Sequence, residues 1–75
     1  MNNYKPKCAL IGEDGNIFNL MGIASRTLKR NGMQEEATEM INRITSNAKS
    51  YDEAIMIIDE YVDITSKEEM EEDEY

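Results

Sequence analysis

Apolar positions along the chain follow two different periods, and the change from one to the other outlines the fold. Lys7-Cys8-Ala9-Leu10-Ile11 is a short apolar run bounded by Pro6 and Gly12, which predicts a strand. Gly12-Glu13-Asp14-Gly15-Asn16 is turn-forming by composition: the glycines accept positive φ, and Asn16 is a good helix cap. A first helix is expected from Ile17 to about Arg30, ending at Asn31-Gly32. At roughly 100° per residue, Ile17, Phe18, Leu20, Met21, Ile23, Ala24, Thr27 and Leu28 sweep over half its circumference. A stripe that wide predicts a helix lying between other elements. Gly22, on the remaining sector, suggests a close approach by a neighbour.

A second helix is expected from Met33 to about Thr45, with Ala37, Met40, Ile41 and Ile44 inward and Glu35, Glu36, Glu39 and Arg43 opposite. Ser46 to Lys49 reads as a connection. Ser50-Tyr51-Asp52-Glu53 matches a capping box, in which Ser50 caps and Glu53 reaches back to the cap N–H. The third helix buries Ala54, Ile57, Ile58 and Tyr61. Tyr61-Val62-Asp63-Ile64-Thr65 is β-prone and can leave the helix to pair with Lys7–Ile11. The fold class expected is therefore α+β, three helices with a short two-stranded sheet; an all-α three-helix bundle is the alternative. Residues 1–6 are expected to be a loose N-terminus, residues 7–65 one compact domain, and residues 66–75 an acidic, disordered tail.

Cys8 to Phe18, then Gly22, Leu28 to Gly32, Ser50 to Ala54 and Glu60 to Ile64 together resemble a family of small uncharacterised proteins carried by bacteria, their phages and mobile elements. The Gly-x-Asp-Gly-Asn turn before an apolar helix carries most of the likeness. The resemblance implies a compact fold and a mobile-element setting. It implies no activity.

Charge changes the picture more than composition does. The net charge is −8, of which the last ten residues hold −5: Lys67 against Glu68, Glu69, Glu71, Glu72, Asp73 and Glu74. Such a balance disfavours direct contact with a nucleic-acid backbone and favours basic partners. No apolar run is long enough to span a membrane, the N-terminus does not read as a signal peptide, and a single cysteine makes no internal disulfide, so the expected location is cytoplasmic.

Candidate chemistry is sparse. The chain has no histidine, which removes a Cys–His pair and, with one cysteine, a zinc site. The Gly12–Asn16 turn lacks the Gly-Lys-Ser/Thr of a phosphate loop, and the calcium-loop pattern starting at Asp14 meets Phe18, Asn19 and Ser25 where ligands or glycine belong. The turn is expected to be a strand-to-helix connection, with anion or small-ligand binding as a lesser alternative. Cys8 is expected to be a small buried or edge residue. Arg26, Lys29 and Arg30 are expected to pair with Glu35, Glu36 or Glu39, with binding to phosphate or to an acidic partner as the lesser alternative. No cofactor, metal or catalytic residue is expected, and the chain is read as a non-enzyme.

The third helix is the surface of interest. Asp52, Glu53, Asp59, Glu60 and Asp63 fall on its outer side with Met56 among them, and Ile55 and Val62 on the flank toward the core. An apolar side chain ringed by acids suits a basic partner protein, and aligned carboxylates can imitate a nucleic-acid backbone. A plain solvated face is the bland alternative. The reading is a binding protein that covers a basic surface of a host protein, such as a defence nuclease or other nucleic-acid-binding machine. A small structural or assembly protein that self-associates through Met56 or Ile55, as a homodimer for example, is a second reading. The tail offers Met70 and Tyr75 as anchors or serves only to solubilise.

Overall fold

The computed structural model describes residues 4–66, and the expected tail from Lys67 onward lies outside them. The order is β1 (Lys7–Ile11), α1 (Ile17–Arg30), α2 (Gln34–Asn47), α3 (Tyr51–Tyr61) and β2 (Asp63–Ser66). The two strands pair in parallel, Lys7 with Asp63 and Cys8 with Ile64, with an irregularity between Ala9 and Ile11. The fold is thus α+β, as the periods predicted. The packed unit takes in Pro6, which is fully buried and accepts a bond from the Asp63 N–H at 2.8 Å. Two strands are marginal alone; here the inward residues Cys8 and Leu10 join the helical core.

The helix ends follow their local chemistry. Asn16 Oδ1 accepts from the Phe18 N–H at 2.8 Å and starts α1. At the other end Gly32 takes φ +75°, the Met33 N–H donates to Leu28 O at 2.9 Å and the Gly32 N–H to Lys29 O at 3.1 Å. That pair of bonds is a Schellman closure, with Met33 and Leu28 both buried beside it. Helix α2 runs two residues further than expected. Ser46 and Asn47 stay helical because the ladder continues, with Ala48 N–H donating to Ile44 O at 3.2 Å.

Helix α1 packs against α2, α3 and β1, the central position that its wide stripe requires. Ala24 and Leu28 are wholly enclosed, and Met40, Ile58 and Val62 complete the centre. Two expectations need correcting. Phe18 belongs to the apolar sweep, yet it is 73% exposed. Among the described residues no neighbour approaches Gly22: a Cβ there meets nothing within 4 Å. Val62, expected on the flank toward the core, is fully buried: the helix stops at Tyr61 and Val62 turns extended at φ −133°, ψ 156°.

Candidate functional site

The acidic side of α3 is built at its cap. Ser50 Oγ accepts from the Glu53 N–H at 3.2 Å, as a capping box requires. Glu53 reaches back one residue further than expected, accepting from the Lys49 N–H at 2.7 Å. Asp52, Glu53, Met56, Asp59 and Glu60 are all exposed, Met56 by 67%. Positions 52, 56 and 59 share one line at the four-and-three spacing, so Met56 stands between Asp52 and Asp59.

The acids are not equivalent. Glu60 is gripped by Arg43 of α2, Nη1 to Oε1 at 2.6 Å and Nη2 to Oε2 at 3.2 Å. Arg43 also donates to the Tyr61 hydroxyl at 3.1 Å and lies 5.7 Å from the Tyr61 ring centre. These bonds hold the Glu60 carboxyl below the ordinary carboxylate range, and they raise the Arg43 guanidinium further above its own. Glu60 and Glu53 therefore serve the fold, and Asp52 and Asp59 are the acids of this side that carry no partner among the described residues. Asp63 leaves the group altogether. It opens β2 and lines a cleft of about 460 Å³ with Lys5, Lys7 and Arg30, so its charge is set among cations. The expected pairing of Arg26, Lys29 or Arg30 with Glu35, Glu36 or Glu39 does not form among the described residues. Arg30 faces the β1 side of α1 instead, where that cleft lies.

The Gly12–Asn16 turn spends its polar groups on itself. Asp14 Oδ1 accepts from the Asn16 N–H at 3.2 Å, and the Asn19 side chain donates to Asp14 O at 2.9 Å. Gly12 needs its φ of +98°; Gly15 does not take a positive φ. The Tyr51 hydroxyl donates to Gly15 O at 2.7 Å, tying the start of α3 to the turn. These bonds suit a connection. No group of three or more metal-ligating side chains stands together among the described residues. Cys8 is buried; burial pushes its thiol above the ordinary value, against lowering by the Thr27 hydroxyl 3.5 Å away and by the Arg30 charge.

The sequence reading missed a second surface. Where the start of α1, the end of α2 and the start of α3 meet, a groove of about 400 Å³ opens. Its floor is the buried Met21, Ile44 and Ala54, and its sides are Phe18 and Tyr51, 73% and 49% exposed. The cause is local. A helical side chain leans toward the helix N-terminus, so Phe18 in the first turn projects past the part of α1 that its neighbours cover. Ala48 and Ala54, both small, line the space where the end of α2 and the start of α3 meet. The position of Phe18, two residues after its cap, was the available signal.

Among the described residues no helix is long and apolar enough to cross a membrane. Compared with protein-family models, with curated proteins and with solved structures, the chain matches none.

Proposed function

We propose that the chain is a small non-enzymatic binding protein of phage or mobile-element type that covers a basic surface of a host protein. The nucleic-acid-binding face of a defence nuclease is one surface of that kind. The observation that supports this is α3: a helix with no basic residue, presenting Met56 between two unpartnered carboxylates, Asp52 and Asp59. Carboxylates at the edge of such a contact steer a cationic partner, and the apolar side chain adds contact area once it arrives. The acidic C-terminal residues add to the same attraction.

Capture from bacterial lysate on the full chain, eluted by rising salt, tests this. A discrete partner released at moderate salt, and lost with Asp52→Lys and Asp59→Lys together, is the expected result. Retention of that partner by the double variant means the surface is wrong. A chain ending at Thr65 compared alongside apportions the attraction between α3 and the tail.

A further inference from the structure

We infer that the cleft of about 460 Å³ between the Lys5-Pro6-Lys7 segment and the C-terminal end of α1 is a binding site for a small phosphoryl dianion, either free phosphate or a phosphate monoester. The inference goes beyond the binding reading above. It concerns a site of charge opposite to the α3 surface and stands without it.

Local sequence builds the site. Lys5 precedes a proline, which keeps it extended, and the Pro6 ring fixes the next φ. Pro6 is fully buried and Cys8 belongs to the core, so alternation along an extended chain puts Lys5 and Lys7 together on the other side. The Asp63 N–H donates to Pro6 O at 2.8 Å and holds this segment against β2. Arg30 arrives from the last turn of α1, and the buried Pro6 and Thr27 line the cleft beneath the charges. Both sides of the cleft thus belong to packed elements, which lowers the ordering cost of binding.

A helix C-terminus ordinarily opposes an anion, because its last carbonyls point there. In α1 those carbonyls are occupied. Asn31 Nδ2 donates to Thr27 O at 2.7 Å, the Met33 N–H to Leu28 O at 2.9 Å and the Gly32 N–H to Lys29 O at 3.1 Å.

Charge selects the ligand. The lining carries Lys5, Lys7 and Arg30 against one carboxylate, Asp63, a formal +2 in a chain of −8. Among the described residues Lys5 and Arg30 form no ion pair. A phosphate monoester brings about −1.5 to −2 at neutral pH, which balances that charge; a monocarboxylate leaves half of it unbalanced. The donors suit phosphoryl oxygens as well, since a guanidinium forks onto two of them and a lysine serves as a point charge.

Size then limits the ligand. A small dianion answers to charges within a Debye length, about 8 Å at physiological salt, and so feels mainly these cations. A nucleic acid, an acidic protein or a second copy answers to the whole chain at −8 and is repelled.

The test follows the backbone amides of the full chain by NMR at fixed ionic strength. The probes are inorganic phosphate, glycerol 3-phosphate and malonate, a dicarboxylate of similar charge. Phosphate is expected to shift Lys7, Arg30, Asn31 and Asp63 saturably with a Kd of about 1 mM, and malonate to bind about fivefold more weakly. Equal binding of glycerol 3-phosphate shows that the monoester is accepted; its failure to bind narrows the ligand to the free ion. Lys5→Gln and Arg30→Gln, both at exposed positions, should each weaken phosphate about fivefold. Asp63→Asn removes the opposing carboxylate and should tighten phosphate, a gain that damage to the fold does not produce. Arg26→Gln, exposed on α1 but outside the cleft, should leave the Kd within about twofold. Several results overturn the site. Equal binding by malonate, or equal loss with Arg26→Gln, means diffuse attraction to cations. No gain from Asp63→Asn means the cleft is not where phosphate sits. No saturable shift in the full chain removes the site altogether, even where the chain's own acidic C-terminal residues are what fills it.

Discussion

The two ends of α1 carry similar apolar sequence and meet opposite fates. Toward Arg30 the helix is closed: Ala24 and Leu28 have no exposure, and Thr27 sits beside Cys8 of β1. Toward Asn16 it is open: Ile17 is half-buried, Phe18 is 73% exposed, and the groove begins. An apolar stripe reports which side of a helix turns inward. It does not report how far along the helix a neighbour reaches. At the closed end a strand and the core residue Val62 complete the cover; at the open end, among the described residues, only the tips of two helices arrive. The closed end holds the molecule together, and the open end leaves apolar side chains exposed.

The largest effect that would break this contrast is a matched pair of truncations. Leu28→Ala is expected to cost about 2–5 kcal/mol in urea denaturation, a large part of the stability of so small a domain. Phe18→Ala should change it by no more than about 0.5 kcal/mol. Equal costs would mean the open end is as structural as the closed one. Between the two ends, Gly22→Ala should raise the unfolding free energy by about 1 kcal/mol, since the added methyl meets nothing within 4 Å and helix propensity improves. A loss there would reveal cover on that side of α1. At the open end, Ser50→Ala should remove about 1 kcal/mol by leaving the Glu53 N–H without its cap. The smallest effect is alkaline. The Cys8 thiol is raised in the folded state, so its contribution is complete below the ordinary thiol value of about 8.5 and is lost as pH climbs through the raised one. Cys8→Ala should flatten that part of a stability–pH curve, and Phe18→Ala should leave it unchanged.

Much of the fold was legible because local chemistry and apolar period agreed. Pro6 and Gly12 bracket β1, Asn16 caps α1, Gly32 closes it, and Ser50 starts α3. The parallel sense of the sheet follows once three helices must lie between its strands and return the chain to the same side. The candidate site was less legible. All the acids of α3 look alike in sequence, but Glu60 is taken by Arg43 across the helix interface, Glu53 by the Lys49 backbone, and Asp63 falls in β2 among cations. Each of those outcomes depends on residues distant in sequence or on a one-residue shift in a cap. Phe18 was placed inward for the same reason, since periodicity carries no information about where cover ends. The Gly12–Asn16 turn, the most distinctive stretch to the eye, holds β1, α1 and Tyr51 in register.

The sheet has a mechanical consequence. Its strands are parallel, one nearest each end of the described chain, so Lys7 pairs beside Asp63 and Ser66 beside Ile11. Tension applied through the two flanks pulls β1 from its Lys7 end and β2 from its Ser66 end, in opposite directions along the strand axis. The ladder is then loaded in shear, with its hydrogen bonds sharing the force, and does not unzip one bond at a time. A two-stranded sheet that is marginal as a folding unit thus acts as a tension clamp.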